Sequence, residues 1–120
     1  MVGHYDRRLN TIYIDPRTSC RTQRCTIVHE LIHWEDDDGP CANDWLNNKR
    51  ELRVEAETAR RLISIDAVVD GLLWCIDHSE LAEHWDVDVH LVMLRLEVLT
   101  DEEQDIITFF VDAEEEFIVA

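Results

Sequence analysis

Proline and glycine are scarce, two and three in 120 residues. So few chain breakers leave no Pro- or Gly-rich linker, and no internal repeat or low-complexity stretch divides the chain. The expectation is a single domain over residues 1–120, with one modest core. Long apolar runs are missing too. Charges interrupt the most hydrophobic region, in the C-terminal half, every few residues, which excludes a membrane-spanning helix. The opening Met1-Val2-Gly3-His4-Tyr5-Asp6-Arg7-Arg8 has no apolar stretch behind its charges. No secretory signal is therefore expected, and a cytoplasmic location follows. Basic residues number 11 against 27 acidic ones, a formal charge of −16. That surface repels phosphate backbones, so nucleic acid is not an expected partner, nor is a membrane in the absence of a spanning segment, whereas a basic protein is compatible. The four cysteines, Cys20, Cys25, Cys41 and Cys75, form no C-x-x-C pair and read as free packing thiols.

What is present is mostly helical pattern. Arg8 to Asp15 is rich in β-formers and ends at Pro16, which predicts a strand paired near the N-terminus. From Arg17 to Glu35 the positions Cys25, Val28 and Ile32 carry helical spacing, stopped by Asp36-Asp37-Asp38-Gly39-Pro40. Asn43 to Asn48 reads as loop or a short turn, and a second helix runs from Lys49 to Ser64 with Leu52, Ala56, Ala59 and Ile63 on one face. Asp66 is the expected cap of a third helix through Trp74 and Cys75. Ser79 to Trp85 and Asp88 to Leu99 make two more, resembling a helix-turn-helix pair, and Thr100-Asp101-Glu102-Glu103 is a capping box for the last. Glu114-Glu115-Glu116 reads as a solvated tail. The fold class expected is α+β, mostly α: a small N-terminal β element and the two helices of residues 1–64, then a helical C-terminal part over 65–120.

His29-Glu30-Leu31-Ile32-His33 is H-E-x-x-H inside the first helix. Residues four apart share a helical face, so His29 and His33 can grip one metal ion. Glu30 lies one position on, rotated about 100° round the axis, and reaches a metal-activated water as general base. A third ligand must come from elsewhere. The metzincin extension needs Gly and His where Asp36 and Gly39 stand, so it fails. Glu51, Glu55 and Glu57 are the candidates on the second helix, with Asp36 to Asp38 read as a solvated helix end. Glu51 and Glu55 share a face, so one can bind metal while the other holds a histidine's second nitrogen. Spacing does not choose between them.

Three segments together resemble the ImmA/IrrE-type zinc metallopeptidases, in the short form of actinobacteria and their phages. They are Thr11-Ile12-Tyr13-Ile14-Asp15, the run Arg24-Cys25-Thr26-Ile27-Val28 into His29 to His33, and Glu51 through Ile63. The likeness covers roughly Tyr5 to Leu99. The family segment E-x-x-V-D-x-x-A-A-R-R-L-I is echoed by Glu51-Leu52-Arg53-Val54-Glu55 and Ala59-Arg60-Arg61-Leu62-Ile63. The resemblance implies a zincin-like fold, a Zn2+ cofactor, Glu51 as third ligand, Glu55 where Asn or Asp is usual, and Tyr13 on a strand that aligns substrate. It also implies a cytosolic DNA-binding repressor as substrate. Trp34, directly after His33, is bulkier than the family pattern leads one to expect.

Two functions are compatible with these residues. One is a zinc endopeptidase acting on a helix-turn-helix repressor. The other is a non-catalytic protease-like module that regulates a repressor by association, a role that does not need Glu30. The helix-turn-helix-like pair offers Arg95 and His90 against Asp86, Asp88 and Glu97, and reads as packing rather than as a DNA reader. His78, His84 and His90, outside any motif, read as surface residues rather than oxyanion partners. Trp34, Trp45, Trp74 and Trp85 read as core or half-buried packing.

Overall fold

The computed structural model describes residues 2–119, with side chains described for residues 2–111. Two strands and six helices are found among the described residues, so the chain is α+β and mostly α. β1 (Gly3–Asp6) and β2 (Thr11–Ile14) form an antiparallel hairpin in which His4 faces Tyr13 and Tyr5 faces Ile12. The strand expected over 8–15 is thus shorter, because residues 7–10 make the turn. Asn10 takes a left-handed φ of 49° there, and the Asp6 carboxylate accepts from the Leu9 amide.

α1 (Cys20–Glu35) starts at Ser19, whose hydroxyl accepts from the Thr22 amide. It ends in a Schellman turn: Asp37 is left-handed at φ 54°, and the Asp38 amide reaches back to the His33 carbonyl at 2.9 Å. The inward face of α1 carries Cys25, Thr26, Glu30, Ile32 and His33, whereas Ile27, Leu31 and Trp34 point outward. A helix that buries acid and imidazole while exposing aliphatics breaks the usual pattern, as functional helices do.

α2 (Asp44–Leu62) begins within the segment expected as loop or a short turn. Its buried residues are Val54, Thr58 and Ala59; Leu52, placed by period on one face with Ala56, Ala59 and Ile63, is 67% exposed. Glu51 and Glu55 instead occupy the side turned to α1, and Leu52 is carried about 100° away from it. Arg61 forks onto Glu35 of α1 and Glu57 of its own helix, and Arg53 meets Asp36.

The chain falls into two compact units, Met1–Leu62 and Ile63–Ala120, where the expected subdivision of one domain lay at 64/65. In the second, α3 (Ile65–Trp74) is capped by the Ser64 hydroxyl rather than by Asp66, which sits in its first turn. α4 (His78–Trp85) starts at Asp77 and ends at left-handed Asp86, so that Val87 enters the core ahead of α5 (Val89–Glu97). α6 (Asp101–Val119) opens on the expected capping box, with Thr100 and Glu103 exchanging amide bonds at 3.1 Å. Glu114 to Glu116, expected as a solvated tail, have side chains outside the described residues.

The core of this unit is Ile63, Val68, Leu81, Val87, Leu91 and Val92. Trp85 lies over Gly71, where a Cβ would stand 2.7 Å from the indole, and donates to the Ala67 carbonyl. Of the four tryptophans only Trp85 is buried; Trp34, Trp45 and Trp74 are exposed, against the expectation of packing. No described helix is long and apolar enough to cross a membrane.

Candidate metal centre

Three side chains of the first unit converge. His29 and His33, one turn apart on α1, bring their Nε2 atoms to 3.2 Å. Glu51 of α2 places Oε2 3.0 Å from His29 Nε2 and Oε1 3.0 Å from His33 Nε2. The three ligand atoms lie within 4.8 Å of one another, and His29, His33 and Glu51 form a group that could hold a metal ion.

The outer nitrogens explain the orientation. Nδ1 of His29 bonds Glu55, and Nδ1 of His33 bonds Asp38 at 2.9 Å. A carboxylate accepts only, and carboxylates stand at both nitrogens of each ring. The neutral ring protonated at Nδ1 toward Glu55 or Asp38 presents its Nε2 lone pair inward, whereas a doubly protonated ring donates from Nε2 to Glu51. The neutral tautomer is inferred from the bonding network. In it, two imidazole lone pairs and a carboxylate face one another, an arrangement that repels itself unless a cation lies between. The donor set, two nitrogens and an oxygen at the spacing expected round a tetrahedral ion with bonds of about 2 Å, fits a metal.

The electrostatics agree. Burial is the largest single influence on the His29 imidazole and favours its neutral form. The hydrogen bond and charge of Glu55, with the charges of Glu30 and Glu51, together outweigh it and raise the pKa above the usual histidine value. A pocket that attracts a proton this way attracts a metal cation for the same reason.

Glu30 is buried on the inward face of α1. No hydrogen bond or ion pair among the described residues engages its carboxylate, and its stem lies against β1. A Cβ placed on Gly3 would stand 3.5 Å from Glu30 Cγ and 2.3 Å from Thr26 Cγ2, so the bare glycine lets the strand close on this part of the helix.

The structure therefore groups His29, His33, Glu51 and Glu55, with Glu30 near enough to act on the His29 charge. Glu57 is turned away, paired with Arg60 and Arg61. Tyr13 is exposed and stacks on His4 at 6.5 Å; no hydrogen bond or ring contact among the described residues ties it to the metal group. Trp34 is exposed and donates to Asn10 at 2.9 Å, fastening α1 to the hairpin turn.

Of the solvated end expected at Asp36 to Asp38, Asp36 and Asp37 are exposed, in surface pairs with Arg53 and Arg7, and only Asp38 is corrected: it is half-buried and bonds His33. Asp38 is thus the site residue missed from the sequence. Asp37 at the left-handed position after α1 turns the chain back under His33, which no hydrophobic period in the sequence signals. No family model, curated protein or solved structure matches the chain.

Proposed function

We propose that the chain is a zinc endopeptidase of ImmA/IrrE type that cleaves a specific cytosolic protein, a helix-turn-helix repressor. The observation that carries this reading is the convergence of His29, His33 and Glu51 beside the buried, uncommitted carboxylate of Glu30. Two imidazoles and one carboxylate are one of the ligand sets of catalytic zinc sites, which keep a fourth position open. When bound, zinc supplies the Lewis acidity that makes a water nucleophilic near neutral pH.

The chain's own residues do the rest. Glu55 and Asp38 hold the two rings with Nε2 inward, fixing tautomer and direction. Glu30 accepts a proton at its carboxylate as the peptide carbonyl is attacked, and returns it to the leaving amine. Its position next to His29 in sequence, about 100° round the helix, lets it serve the reaction instead of the metal. A module that only binds does not need an uncommitted buried acid at this position.

Purified protein should carry about one zinc per chain by elemental analysis, a content lost in His29→Ala, His33→Ala and Glu51→Ala. Glu30→Gln should keep the zinc yet slow cleavage of a co-expressed repressor by at least ~100-fold. Metal-free wild type, or a Glu30→Gln chain cleaving at the parent rate, would refute the assignment.

A further inference from the structure

The formal charge is divided unevenly. Sixteen of the 27 acidic residues but only one of the 11 basic ones lie beyond Leu62, so the second unit carries a net −15. That one base, Arg95, is 2% exposed, with Nε on the Ile63 carbonyl at 2.7 Å and Nη2 on Glu103 at 2.7 Å. The unit's surface thus has no lysine or arginine to offset its acids.

On this surface α6 leaves an apolar face open. Ile106, Phe109 and Phe110 are 39%, 69% and 50% exposed, and the two phenyl rings meet edge to face at 5.2 Å. The helix packs through the side on which Glu103, Ile107 and Val111 are half-buried. At about 100° per residue, Phe109 lies opposite that side, Ile106 lies on its flank, and Phe110 lies at its edge, near Glu103. Glu102 and Asp105 lie on the same open side as Ile106 and Phe109. Exposed adjacent aromatics on a helix rimmed by one sign of charge are the makings of a binding surface.

We propose that this face of α6 docks a basic amphipathic segment of a partner protein. Its apolar side chains cover Ile106, Phe109 and Phe110, and its lysines or arginines meet Glu102 and Asp105. Charge selects the occupant. A second copy of the chain would bring its own unit of −15 against this one, and DNA or an anionic bilayer is repelled in the same way. The surface deepens the proposed cleavage of a DNA-binding repressor. It rests on that reading only for the fate of the docked partner, since no metal ligand of the described group lies beyond Leu62.

The test is fluorescence anisotropy on the full chain carrying Glu30→Gln. The probe is a fluorescein-labelled peptide of about 14 residues, leucine and lysine patterned as an amphipathic helix. Saturable binding is expected. It should weaken at least about tenfold in Phe109→Ser/Phe110→Ser and clearly in Glu102→Gln/Asp105→Asn, with Trp45→Ser unchanged. All these positions are exposed, and circular dichroism checks that each variant is folded. Metal-free His33→Ala should bind the peptide as the parent does, so failure of the metal site leaves this result standing. Equal affinity of the Phe109/Phe110 variant, or of an oligolysine of equal charge, would overturn the proposal. So would a dimer of the chain, seen by sedimentation, that Phe109→Ser/Phe110→Ser abolishes.

Discussion

His29 and His33 are one helical turn apart, a spacing that puts both rings on one side where they could hold a metal ion, and that spacing is legible in the sequence. Glu51 is harder. Glu55 lies one turn on from it, and period alone gives both the same face. What separates them is which imidazole nitrogen each meets, Nε2 for Glu51 and Nδ1 for Glu55. Asp38 is illegible for a different reason: its role depends on the left-handed turn at Asp37, which no hydrophobic period reports. Its importance can be measured. Glu55→Ala and Asp38→Ala should each weaken zinc affinity about 10–100-fold in a competition titration against a chelator, without abolishing binding. An unchanged affinity in Asp38→Ala would reduce its bond to His33 to a helix-end contact.

At the scale of elements, period predicts the helices better than their buried faces. The capping box at Thr100 and the spacing in α1 are readable because local hydrogen bonds and period specify them. The face of α2 is not, since period groups Leu52 with Ala56, Ala59 and Ile63 while the metal-site acids claim the inward side. The hairpin shows in the sequence only as a strand, and its approach to α1 depends on a glycine that carries no periodic signal. Gly3→Ala should therefore push β1 off Thr26 and cost about 1–3 kcal/mol, the usual size of overpacking, in chemical denaturation. Thr26→Ser removes the obstructing methyl yet keeps a hydroxyl able to bond the Thr22 carbonyl, as Thr26 does at 2.7 Å. Adding it to Gly3→Ala should recover part of the loss. Strictly additive effects would mean the two residues do not press on each other.

At the scale of the whole molecule, the chain is two compact units, and each has its own polar anchor. In the first it is the metal group. In the second it is Arg95, buried against the Ile63 carbonyl and Glu103. In the sequence Arg95 belongs to a helical pair that reads as packing rather than as a DNA reader, and the structure buries it inside the unit. Glu103→Ala should cost about 3–5 kcal/mol by leaving a buried guanidinium short of its counter-charge, and it also removes half of a capping box. Urea denaturation checks this, and a loss below about 1 kcal/mol would show that water reaches Arg95.

The tryptophans are shared out between the units, Trp34 and Trp45 in the first and Trp74 and Trp85 in the second. Replacing one pair with phenylalanine leaves the other as an optical probe of a single unit. Because His29, His33 and Glu51 all fall in the first unit, zinc bound as proposed would act by mass action on the melting seen through Trp34 and Trp45. However far the Trp74 and Trp85 signal moves with it is then a direct reading, in free energy, of how strongly the two halves of the chain are coupled.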